Sequence, residues 1–208
     1  MSYFYYYRIG PGNDRPRRPQ PRPAEPGEWP KLEAALAVVN RDLTATVPGQ
    51  EPLILMVDPP WQTPAPGEVD RGRVHVAMPD GRWQGNQVNA YDPQEGDPLE
   101  PDDEATVLTV VADAAQETVV ELLWQVWPLC GEHKLGMHAR PAGTSGDWYP
   151  GATDAGGPPV WWCRGGRDGV SHDVAPVGEL AATLPGKRRR ELRRELRRTE
   201  RGQGGGRR

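Results

Sequence analysis

Glu121-Leu-Leu-Trp-Gln-Val-Trp-Pro-Leu-Cys130-Gly-Glu-His133 is the stretch on which the fold turns. Its first half ends an apolar-striped helix. Trp127-Pro128 stops that helix, because proline has no amide hydrogen and its ring clashes with the preceding turn. Its second half sets a cysteine and a histidine two residues apart, the spacing of a zinc knuckle. The chain before the break therefore reads as a helix-and-sheet body. The chain after it reads as a short hairpin region with little core of its own.

Working back, the helix starts at a cap on Asp102 or Asp103 and runs to about Val126. Val107, Val111, Ala114, Leu122 and Val126 form its buried stripe, widened by Leu108, Val110, Ala115, Val119 and Leu123. Thr109, Asp113, Gln116, Glu117 and Glu121 form its wet face. An earlier helix spans about Trp29 to Leu43. Pro30 suits its first turn, and Leu32, Leu36, Val39 and Leu43 share one face. Leu53-Ile-Leu-Met-Val57 is a short apolar run expected to be a buried strand. Pro79-Asp80-Gly81 predicts a hairpin joining strands Arg73 to Met78 and Arg82 to Val88.

Working forward, Val160 to Cys163 and Val170 to Val174 flank Arg164-Gly-Gly-Arg-Asp-Gly169 as a second hairpin. Cys130 and His133 pair with Cys163 and His172 as candidate metal ligands, and His138 competes for the fourth place. Two thiolates and two neutral imidazoles would give Zn²⁺ a closed, uncharged tetrahedral shell, so Zn²⁺ is the expected cofactor. Two alternatives stand beside it: a metal-free hairpin with buried cysteines, and a Cys130–Cys163 disulfide in an oxidising compartment.

The expected architecture is α+β: two main helices packed on a small antiparallel sheet, then a zinc-ribbon-like β-hairpin region and a charged C-terminal helix. Residues 1–28 read as a disordered Pro/Arg-rich head, 29–126 as the body, 127–180 as the hairpin region and 181–208 as a basic helical tail. Pro16-Arg-Arg-Pro19 in the head fits PxxP spacing, although a solvated leader is the simpler expectation.

Glu121 to Leu180 resembles proteins of high-GC actinobacteria whose activity is unknown. The likeness is carried by Trp127-Pro-Leu-Cys130-Gly-Glu-His133, then Gly136-Met-His138, then Val160-Trp-Trp-Cys163. In those proteins a helix runs into Trp-Pro-x-Cys-Pro-x-His and ends in a Trp-x-Cys hairpin. The resemblance implies a small cytoplasmic protein with ligand roles at Cys130, His133, His138 and Cys163. Gly131 stands where those proteins have proline.

Composition sets further bounds. The 208 residues include 25 Gly and 24 Pro, enough to expect loose segments. All eight Trp lie between 29 and 162, which marks the folded part. Between 29 and 185 there are nine Lys and Arg against 23 Asp and Glu; between 187 and 208, eleven against three. An acidic body thus carries a basic tail. Arg188, Arg189, Arg190, Arg193, Arg194, Arg197 and Arg198 are the candidate contacts to nucleic acid or to an acidic protein surface. Glu191 and Glu195 are spaced to pair with Arg194 and Arg198 along that helix. No run is apolar enough to span a membrane and the first ten residues do not form a secretory leader, so the cytoplasm is the expected compartment.

Catalytic motifs are few. Val57-Asp58-Pro59-Pro60-Trp61 resembles the motif of N6-adenine methyltransferases. That likeness implies that Asp58 and the Pro59 carbonyl accept hydrogen bonds from the exocyclic amine while Trp61 stacks on the base. It also demands a glycine-rich cofactor loop and about seven strands, and the sequence offers neither. Ser171-His172-Asp173 is not a triad, since strand neighbours point to opposite faces. The expectation is a non-enzymatic protein- or nucleic-acid-binding module; the alternative is an adenine N6-methyltransferase-like enzyme.

Overall fold

The computed structural model describes residues 19–60, 72–90, 98–144, 156–166, 169–192 and 194. The expected disordered head up to residue 18, Trp61, and the tail from 195 onward lie outside the described residues.

Helix α1, Pro30–Thr46, starts as its sequence demands: Pro30 occupies the first turn, and the Glu33 carboxylate accepts from the backbone N–H of Gly27 at 2.8 Å and Trp29 at 3.3 Å. Residues 19–28, placed in the head by sequence, are ordered in part. Strand β1, Arg22–Pro23, pairs antiparallel with strand β2, Ile54–Asp58. An Arg22–Glu28 ion pair at 2.7 Å closes the turn behind β1. Pairing to β2 outweighs the proline content here because Pro23 lies on an edge strand, where a missing N–H costs nothing.

Strand β3, Arg73–Ala77, completes the first sheet on the other side of β2. The Pro79-Asp80-Gly81 turn forms, with Gly81 N–H donating to Met78 C=O at 2.9 Å. Arg82 to Val88 does not form the expected strand. Helix α2, Glu104–Leu123, captures this segment instead. Thr118 Oγ1 donates to Gln84 C=O at 2.6 Å, and the Glu117 carboxylate accepts from Asn86 N–H at 3.2 Å. The chain returns to β3 only at Val88, while the Asn89 amide accepts from Val74 N–H and donates to Gly72 C=O.

Asp103 caps α2, its carboxylate accepting from Thr106 N–H at 2.7 Å. The helix ends at Leu123, where Trp124 turns left-handed at φ 52°. Val126, expected on the buried stripe, is therefore outside the helix and 57% exposed. The expected wet face is partly dry: Thr109 and Gln116 are buried. Both are satisfied, Thr109 by Ala105 C=O and Gln116 by Met137 C=O. The reason is tertiary, because α2 packs against α1, β3 and the second sheet together.

That second sheet contains β4, β5 and β6: His138–Pro141, Pro159–Cys163 and His172–Pro176, in antiparallel order β4-β5-β6. The hairpin expected from sequence is β5–β6, and β4 adds a strand that the sequence did not suggest. A bulge at Val174 shifts the β5–β6 register. The fold is thus mixed α+β, with two three-stranded antiparallel sheets. One buried cluster runs from Trp29 and Leu32 through Val111 and Val119 to Trp127, Cys130, Trp161, Cys163 and Leu180. The core does not stop at residue 127. Among the described residues no helix is long and apolar enough to cross a membrane.

Asp42 ties the halves. It sits on α1 with no exposed surface. Its carboxylate accepts from Trp161 Nε1 at 2.6 Å, Gly178 N–H at 2.6 Å and Leu180 N–H at 2.7 Å. Burial pushes its pKa up, against the pull of these three donors and of the Arg41 charge. Trp127, stacked edge-on to Trp161, donates to Thr46 Oγ1 at 2.8 Å and adds a second tie to α1.

Candidate metal centre

The turn after α2 closes around Cys130. Cys130 N–H donates to Leu135 C=O at 2.8 Å and Lys134 N–H to Cys130 C=O at 3.0 Å. His133 N–H points at Cys130 Sγ at 3.5 Å. Lys134 takes the left-handed conformation that the reversal needs, and Leu129 bridges to Gly136.

The second sheet brings in the other groups. Cys163 and His172 sit opposite each other in the β5–β6 ladder, so nine positions in sequence become neighbours in space. Cys130, His133 and His172 each offer a ligand atom, and all three atoms lie within 4.8 Å of one another; the trio can hold a metal ion. Cys130 Sγ is 3.8 Å from His133 Nδ1 and 3.9 Å from His172 Nε2. Cys163 Sγ is 3.6 Å from the same His133 Nδ1. Both cysteines are free thiols and buried, while the imidazoles lie nearer solvent.

His138, the rival fourth ligand, is not in this group. It lies on β4 opposite Trp162, exposed, and its charge acts on Asp113. Asp173, beside His172, turns to the other face and pairs with Arg140 at 3.1 Å. That face also carries the Arg140 guanidinium, 4.5 Å above the Trp162 ring.

The electrostatics separate the two thiols. Burial pushes Cys130 up, but the backbone N–H groups of His133 and Glu132, the His133 ring and Cys163 outweigh it and bring the thiol down to about 7. Burial raises Cys163, and the neighbouring Cys130 and Glu132 charges add to the rise against the Gly165 N–H. Glu132, unremarked in the sequence, stands over the site. Its carboxylate oxygens lie 4.0 Å from His133 Nε2 and 3.9 Å from His172 Nε2. A carboxylate beside the outer nitrogen of a ligating histidine fixes its tautomer and raises its basicity.

The other candidate residues are placed elsewhere. Asp58 ends β2 opposite Arg73, half-buried, and Pro59 follows it. Arg188, Arg189, Arg190 and Arg194 belong to helical backbone at 186–192 and 194; Arg193, Arg197 and Arg198 lie outside what the structure describes. The ion pair formed there runs from Glu191 back to Arg188 at 3.7 Å. Leu192 is buried, so this segment rests on the body. No family model, no curated protein and no solved structure matches this chain.

Proposed function

We propose that Cys130, His133, Cys163 and His172 hold one structural Zn²⁺, and that the protein is a non-enzymatic binding module whose second sheet is fastened by that ion. One observation carries this. A tetrahedron with Zn–S near 2.3 Å and Zn–N near 2.05 Å has S···N edges of about 3.6 Å. Three of the four S···N edges of that shell, Cys163–His133, Cys130–His133 and Cys130–His172, measure 3.6, 3.8 and 3.9 Å. Cys130, His133 and His172 form the convergent trio; Cys163, 3.6 Å from His133 Nδ1, would complete the four donors that fill the shell of a structural site, whereas a catalytic zinc keeps a position open. His133 would bind through Nδ1 and His172 through Nε2, with Glu132 orienting His133 from outside.

The basic tail supplies the partner class: nucleic acid or an acidic protein surface, met by Arg188, Arg190 and Arg194 and the arginines beyond. The acidic body limits such contact to the tail. The adenine-methyltransferase alternative has little support. Asp58 and Pro59 do follow a buried strand, but every strand pair among the described residues is antiparallel.

Metal analysis of purified protein tests the site. The expected result is one zinc per wild-type chain, lost in Cys130→Ser and Cys163→Ser with a lower melting temperature. Zinc-free protein that folds, with the same melting temperature in both variants, refutes it. For the tail, binding to a DNA duplex should weaken steeply with salt and vanish on deletion of 187–208. Salt-insensitive binding, or none, removes nucleic acid as the partner.

A further inference from the structure

We infer that the cavity between α1 and the C-terminal helical segment binds a small amphipathic anion, a carboxylate on an apolar chain. The cavity measures about 630 Å³. That is the size of small-molecule sites, which are mostly apolar with a few placed polar groups. It lies on the far side of α1 from the core and is separate from the Cys/His cluster.

Its wall is apolar. Ala45 of α1, Ala181 of the 3-10 helix Leu180–Thr183, and Leu192 form much of it. Gly178 lets the floor pack closely on α1: a Cβ there would stand 2.5 Å from Val38 Cγ1 and 3.3 Å from an Arg41 guanidinium nitrogen. Asn40 also lines the space. Its amide is already spent on Leu53, donating to the C=O at 3.0 Å and accepting from the N–H at 2.8 Å.

The polar groups that remain set the ligand class. Arg41 and Arg189 both line the cavity, one from α1 and one from the tail segment. Neither makes an ion pair among the described residues, whereas the adjacent Arg188 is held by Glu191. The Asp42 carboxylate lies beneath the floor, fully buried, with both oxygens engaged. The Arg41 guanidinium beside Gly178 and the exposed Arg189 on the opposite wall complement a carboxylate, which arginine binds with charge-assisted hydrogen bonds, while the apolar lining suits an alkyl chain, which gains from leaving water. The chain's own ends do not suit the space. Residues 1–18 carry four Arg and one Asp, and 195–208 carry five Arg and two Glu, so both share the sign of Arg41 and Arg189.

Dodecanoate is the probe, titrated into full-length protein below its micelle concentration and followed by calorimetry. Dodecanol and acetate are the controls. Saturable binding is expected, at least tenfold tighter than dodecanol, with none for acetate. Ala181→Trp fills the chamber from an exposed position and should weaken dodecanoate at least tenfold; Arg41→Ala with Arg189→Ala should do the same. Ala182→Phe replaces Ala181→Trp if that variant fails to fold. No dodecanoate binding up to its solubility limit overturns the inference. So does equal affinity for dodecanol, or affinity unchanged in the filled variants. An acidic amphipathic peptide that binds here where dodecanoate fails also overturns it, in favour of a protein partner.

Discussion

Replacing Asp42 by alanine tests the joint between the two halves of the fold. The substitution strands three buried donors: Trp161 Nε1, Gly178 N–H and Leu180 N–H. A buried donor left unpaired costs about 1–3 kcal/mol. Removing the carboxylate also removes its own burial cost, the same cost that raises its pKa. A net loss of about 3–5 kcal/mol is expected for Asp42→Ala, since the three terms are not additive. For a domain of this size that is a fall in melting temperature of about 6–20 °C. Asp42→Asn keeps one acceptor oxygen in place of two and turns an NH₂ toward at least one donor, so about 1–3 kcal/mol is expected. Urea unfolding monitored by tryptophan fluorescence measures both. The pH dependence has a definite sign. A carboxyl whose folded pKa is raised stabilises fully below its unfolded pKa and loses that contribution as pH rises through the folded value. The gap between wild type and Asp42→Asn should therefore be widest in acid and narrow toward neutrality. An Asp42→Ala protein within 1 kcal/mol of wild type, or an asparagine variant as damaged as the alanine one, would refute the clamp.

Three further outcomes follow from other contacts. A chelator should lower the melting temperature reversibly, and zinc at about 1,000 times its dissociation constant should restore about 4 kcal/mol; unchanged melting counts against a structural ion. Asp103→Ala should cost about 1 kcal/mol by removing the α2 cap. Because hydrogen bonds from the Thr106 side chain and backbone lower the Asp103 pKa, that difference should be present above the unfolded carboxyl range and disappear as pH falls through the folded value; circular dichroism melts across pH would show it. Gly178→Ala forces a Cβ against Val38 at φ +95°, and more than 1 kcal/mol of destabilisation is expected; a neutral result in denaturant titration would mean that α1 yields there.

Much of the chain was legible before any coordinates. α1, β2, α2 and the β5–β6 hairpin follow from apolar periodicity and from the residues that stop it, all of which are local signals. The knuckle at Cys130 and His133 is local too, because two intervening residues fix how far apart two side chains can stand. The misses have one cause. Arg82 to Val88 looks like a strand in isolation, yet the Thr118 and Glu117 side chains take its backbone partners. Arg22–Pro23 looks like loose polyproline, yet it completes an edge of β2.

By itself the sequence determined that two main helices form and about where they start, which residues are apolar on one face, and that one Cys/His pair has metal-site spacing; where each helix stops it missed by three residues. It could not choose between His138 and His172, because both lie within reach along the chain. The tertiary structure separates their positions. The antiparallel β5–β6 pairing sets His172 across from Cys163 and beside Cys130, while β4 turns His138 to the outer face. It also gave Asp42 its place. An aspartate late in a helix looks like a solvated residue until a distant tryptophan and two backbone amides arrive to bind it. Contacts across more than a hundred positions depend on how whole elements pack, and no local pattern encodes them.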